Sequence, residues 1–137
     1  MWLAILGFLV GGLTPLRAQA PGLAEAAQAA RRAWAAHDVA GVVGSSDRLL
    51  LQLPGVAPSG PVERAQAAAM LAGYLKGYEE VTTEVRAVRE LGTSGGFVEL
   101  RRRFRVVGTT EIRSQGVLLS YRLRGTVWVL GEVRISG

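Results

Sequence analysis

From Glu80 the hydrophobic period changes from helical to two, and this change assigns the C-terminal half to β-strands joined by turns. Val81, Thr83, Val85 and Ala87 alternate with Thr82, Glu84 and Arg86, and Phe97–Val107 forms a second long run. Val117, Leu119, Tyr121 and Leu123 share one face of a third, and Val127–Ile135 closes the sequence. Thr93–Gly96 and Arg124–Thr126 are turns, and Gly108–Gln115 is a loop or wide hairpin. Four consecutive strands joined this way pair antiparallel, with one dry face and one wet face.

The residues upstream supply the cover for the dry face. Leu23–Ala36 is rich in alanine, and Leu23, Ala27, Ala30 and Trp34 fall on one side of a helix. Asp38 caps a short second helix, Val39–Val43, which Gly44 ends. Arg48–Leu53 reads as a strand, and Pro54–Pro61 as a loop. A further helix starts at Pro61 and runs to about Lys76, with Gly77 as its cap and Met70, Leu71, Tyr74, Leu75 and Tyr78 as its buried stripe. The fold class is therefore α+β: a curved antiparallel sheet wrapped around N-terminal helices.

Strict alternation sends Val81, Val85, Val98, Leu100, Phe104, Leu119, Tyr121, Val129, Val133 and Ile135 inward. The outer face then carries Trp128 with seven arginines and four glutamates, among them Arg101, Arg103, Arg122, Arg124 and Glu132. Interleaved signs fit cross-strand pairing on a solvated or dimerising surface. They do not make the continuous basic stripe with exposed aromatics that nucleic acid requires, so no nucleic-acid partner is expected. The net charge of +5 rests on arginine, Lys76 being the only lysine.

Arg102 breaks the pattern. Alternation from Val98 and Leu100 to Phe104 points it inward, where a guanidinium needs a counter-charge. Three arrangements answer that need: an anionic ligand, a β-bulge that turns the side chain out, or an internal pair with Glu79 or Glu80.

Catalytic and metal-binding patterns are missing from the sequence. The only histidine, His37, sits beside Asp38 at a helix end, and neighbouring helical residues do not face each other. It reads as an exposed helix-end residue, and no catalytic residue is assigned. Cysteine is absent, which rules out disulfides, zinc–thiolate sites and a lipoprotein anchor. No acidic cluster has calcium-loop spacing and no glycine-rich phosphate loop precedes a helix, so neither metal nor cofactor is expected.

The N-terminus points to export. Trp2–Leu13 is an uncharged apolar run followed by Thr14 and Pro15, and Ala18-Gln19-Ala20 has the small–x–small pattern of a signal-peptidase site. A membrane-spanning helix needs about 20 apolar residues, so stable insertion is not expected. Residues 1–20 are thus expected to be a cleavable signal peptide and residues 21–137 a single domain, periplasmic or secreted.

The closing strands, with Arg124-Gly125, Val127-Trp128-Val129-Leu130 and Glu132-Val133-Arg134-Ile135, resemble the final hairpin of nuclear transport factor 2-like domains. Trp34 in the first helix, the step at His37-Asp38-Val39 and the strand at Leu49–Leu53 fit the opening of that fold. The chain is similar to small secreted bacterial domains of unknown function in the superfamily. The resemblance implies a cone with a cavity between sheet and helices, and dimerisation through the sheet. Enzymatic members use Asp, His or Tyr in that cavity, whereas the matching positions here are mostly Val, Leu and Phe.

The expectation is a non-enzymatic exported domain that binds a small molecule or a protein partner through its cavity or sheet face. Trp34, Tyr74, Tyr78, Arg102 and Tyr121 are the candidate lining residues. The alternatives are a cavity enzyme of the isomerase or dehydratase type, with His37 and Tyr74 or Tyr78 as acid/base groups, and a structural homodimer.

Overall fold

The computed structural model describes residues 22–58 and 60–136; the apolar N-terminal run and the expected signal-peptidase site lie outside them. Helix α1 spans Leu23–Ala35 and buries Leu23, Ala27, Ala30 and Trp34, the face set by the sequence period. It ends where the backbone N–H groups of His37 and Asp38 reach back to the carbonyls of Trp34 and Ala33. This is a Schellman closure, and it places His37 in the left-handed region at φ 53°. Asp38 then caps helix α2, Val39–Val43, its side chain accepting the Gly41 N–H at 3.1 Å.

Strand β1 is Arg48–Gln52 and β2 is the two-residue Val62–Glu63. Helix α3, Arg64–Leu75, starts after β2 rather than at Pro61, and buries Ala67, Leu71 and Leu75. The four long strands follow: β3 Tyr78–Leu91, β4 Gly95–Val106, β5 Ile112–Arg124 and β6 Val127–Ser136. Tyr78 thus opens a strand instead of extending a helical stripe. The sheet order is β2-β1-β6-β5-β4-β3. It is mixed, not purely antiparallel, because β1 runs parallel to β6. The parallel pairing follows from the intervening chain, whose long excursion through α3 and three strands returns β6 to β1 from the same end.

Bulges reset the inward–outward alternation. On β3, Glu80 pairs with Phe104 and Thr82 with Arg103, leaving Val81 without a partner. Val81 is displaced to the surface, whereas alternation had placed it inside, and Glu80 and Thr83 both turn inward. A second extra residue, Arg86, lies between Val85 and Ala87. On β6, Ser120 pairs with Glu132 and Tyr121 with Leu130, so Gly131 is the extra residue. Leu130 is therefore buried and Trp128 packs against the core, while Val129, expected inside, takes the outer face opposite Arg122. Each bulge bends its strand, and together they curl the sheet around the helices.

Candidate functional site

At one end of the sheet the turn after α1, the end of α3 and strands β3, β4 and β5 converge on Arg102. Its side chain is wholly buried, and it points inward as alternation requires. The Val81 bulge brings Glu80 to the same interior point, with a side chain only 5% exposed. The guanidinium grips that carboxylate with two N–H donors: Nε reaches Oε2 at 3.2 Å, and Nη2 bonds Oε1. A third donor, Nη1, reaches Gln115 Oε1 at 3.2 Å. The Arg102 Cζ lies 4.0 Å from the centre of the Phe104 ring and 5.6 Å from those of Trp34 and Tyr78. Three aromatic faces around one cation replace part of its lost hydration.

Glu80 is saturated as well. Its Oε2 also accepts the Thr83 hydroxyl at 3.1 Å, and its Oε1 bonds His37 Nε2 at 2.9 Å. Gln115 donates to the Tyr74 oxygen at 2.9 Å, linking the network to α3. His37 is therefore not an exposed helix-end residue. Its side chain is 27% exposed and is drawn onto Glu80 by the left-handed turn that ends α1. A β-carbon at that conformation costs about 1 kcal/mol, and the contact with Glu80 is what the turn obtains in return.

Of the five residues expected to line a pocket, four come together. Trp34 and Arg102 are sealed from solvent, and Tyr74 and Tyr78 are half-buried at their edge, their rings 5.5 Å apart. The Trp34 Nε1 is buried and has no hydrogen-bond partner among the described residues. Burial raises the Tyr74 hydroxyl above the ordinary phenol range, an effect the Gln115 hydrogen bond partly offsets. Tyr121 stands apart, beside a crevice of about 130 Å³ between α1, α2 and β6, where Trp128 and Leu130 also lie. Burial pushes its hydroxyl up to about 12.

Sequence reasoning left Glu80 and Gln115 out of the candidate set and gave His37 a solvent position. Glu80 was accessible to it only as one of two partners for Arg102, since an unpaired Val81 cannot be read from alternation. Gln115 sat in a segment that read as loop. Among the described residues, no group of three His, Asp or Glu side chains is placed to hold a metal ion, and no helix is long and apolar enough to cross a membrane.

A six-stranded curled sheet closed over three helices is the α+β cone of the cystatin-like, nuclear transport factor 2-like fold. Solved structures bear this out. A ketosteroid isomerase-like protein from Erwinia carotovora atroseptica superposes with a TM-score of 0.66 at 18% identity, over 82% of this chain and 91% of its own. A domain of unknown function with a cystatin-like fold from Nostoc punctiforme gives 0.63 at 17% identity, over 80% and 70%. A DUF4783 family protein from Bacteroides ovatus gives 0.58 at 14% identity, over 79% and 87%. At these identities the likeness is one of fold. No family model matches the sequence, and no curated protein matches it.

The buried pair makes a sharp energetic prediction. Glu80→Ala leaves Arg102 uncompensated and is expected to cost roughly 3–5 kcal/mol. The double variant Glu80→Leu with Arg102→Met removes both charges and should recover most of that loss, as read by urea unfolding. Tyr121 predicts a pH dependence. Its raised pKa means that the folded state holds its proton more tightly than the unfolded chain does. Its contribution is therefore fully present below about pH 10 and disappears as pH rises to about 12, a loss on the order of 2 kcal/mol. Tyr121→Phe should flatten the unfolding free energy across that window relative to the parent.

Proposed function

We propose that this protein is an exported, non-catalytic binding domain of the nuclear transport factor 2-like fold. One observation carries the reading: the acid and base groups at the end of the cone are committed to one another. Glu80 accepts from Arg102, His37 and Thr83, and three Arg102 donors are engaged. A general base must have a free lone pair facing the proton it removes. Glu80 has none, and its charge is already neutralised by Arg102. The network holds α1 against β3 and β4, and leaves binding to the surfaces around it.

A second reading, a cavity enzyme of the isomerase type, is favoured by one contact. His37 is oriented through Nε2 by a carboxylate while part of its ring remains accessible, and a positioned histidine of this kind is a familiar general base. The ketosteroid isomerase-like structural neighbour gives the reaction class to test. The protein is incubated with a β,γ-unsaturated cyclic ketone in deuterated buffer, and label is followed at the α-carbon by mass spectrometry. The binding-domain reading expects no exchange above buffer. Exchange that disappears in His37→Ala would replace it with the enzymatic one.

Export rests on the apolar run Trp2–Leu13 and the cleavage pattern Ala18-Gln19-Ala20. Protein recovered from the extracytoplasmic fraction of expressing cells should begin at Pro21, as read by N-terminal sequencing. An intact N-terminus in the cytosolic fraction would refute export.

A further inference from the structure

Strands β1, β6 and β5 lie side by side on the outer face, next to the Gly131 bulge. A groove of about 340 Å³ lies there, lined by Arg48 and Leu50 of β1, Val129 and Gly131 of β6, and Arg122 and Arg124 of β5. Its size falls at the lower end of small-molecule sites. The bulge residue Gly131 is part of its lining. Because Gly131 is the extra residue, Val129 moves to the outer face opposite Arg122, and the glycine beside it contributes no side chain to fill the space.

The charge in the groove is one-sided. Arg48, Arg122 and Arg124 are all exposed, and no acidic side chain lines the groove. Among the described residues no carboxylate lies within ion-pair distance of any of the three. The neighbouring Glu132 faces Arg134 instead, at 2.8 Å. Arg48 is held in place by a bond from Nη2 to the Pro61 carbonyl at 3.1 Å. The ion pairs of the molecule lie elsewhere: Arg113 with Glu111, Arg105 with Glu79, and the buried Arg102 with Glu80. What sets the groove apart is that three guanidiniums without an ion-pair partner gather around one aliphatic floor. Leu50, 37% exposed, and Val129 supply that floor.

We infer that this groove binds a small amphiphilic anion, a carboxylate or similar oxyanion bearing a short aliphatic arm. The anionic head sits between Arg122, Arg124 and Arg48, where guanidinium groups match two-oxygen acceptors. The arm lies on Leu50 and Val129. The inference rests on the reading of the chain as a binding domain and names the site and chemistry of the ligand. It leaves the end of the cone around Arg102 untouched.

Octanoate is the probe, titrated into the protein by isothermal calorimetry, with octanol and inorganic phosphate as the arm-only and head-only controls. Octanoate is expected to bind one site, and each control at least tenfold more weakly. Replacing both Arg122 and Arg124 with Ala removes two charge-assisted contacts from exposed side chains and should weaken octanoate by about a hundredfold, roughly tenfold for each. Gly131→Leu fills the groove. The glycine φ is not in the left-handed region, and an added β-carbon meets only the Ser120 carbonyl oxygen, at 3.7 Å, so the variant is expected to keep its parent melting temperature while losing octanoate.

Absence of octanoate binding by the parent protein overturns the proposal, as does unchanged affinity in the double arginine variant. Equal binding of octanol rules out the anionic class, and equal binding of phosphate rules out the arm. None of these results alters the deuterium-exchange test, so a failed groove and a failed binding-domain reading are told apart.

Discussion

The buried pair of Glu80 and Arg102 organises one end of this molecule. Taking two charges out of water is costly, and the cost is met only where geometry is good and the remaining donors and acceptors are satisfied. Here every satisfying group comes from a different element. His37 follows α1, Thr83 lies on β3, Gln115 on β5, and Tyr74, reached through Gln115, on α3. Aromatic rings from α1, β3 and β4 close around the guanidinium. The ion pair therefore fixes the relative placement of parts that hydrophobic contact alone would let slide, because apolar packing tolerates small displacements that a two-donor grip does not.

The same demand explains the backbone at the end of α1. A left-handed residue after a helix is ordinarily glycine. Histidine occupies it here because the closing turn aims the side chain at Glu80, and the turn and the network support each other. A histidine beside a carboxylate invites a catalytic interpretation. On the far side of that carboxylate Arg102 holds it with two N–H donors, so the histidine contacts a carboxylate that is already paired.

Much of the fold was legible because the core elements obey simple periods. The buried face of α1, the Asp38 cap and the order of elements follow from spacing, since each depends on residues close in sequence. Bulges do not. Val81 and Gly131 are each one residue out of step, and one such residue reverses the face of everything beyond it. That is why Val81 and Val129 exchanged roles with Glu80 and Leu130, and why Glu80 was legible only as a partner for Arg102. The parallel partnership of β1 with β6 was equally hidden, because it joins segments far apart in the chain. The inward direction of Arg102 was readable, for it lies on a stretch of β4 that keeps its phase.

The extra residue at Gly131 also has a consequence for how this protein can change over generations. By shifting the phase of β6 it separates two populations of side chains on neighbouring positions: Leu130 and Trp128 serve the interior, while Val129 and Arg122 face the groove. Side chains of the outward set can therefore vary without directly replacing the core contacts of Leu130 and Trp128. Val129 and Arg122 are accordingly the positions at which this face can be varied most independently of the core.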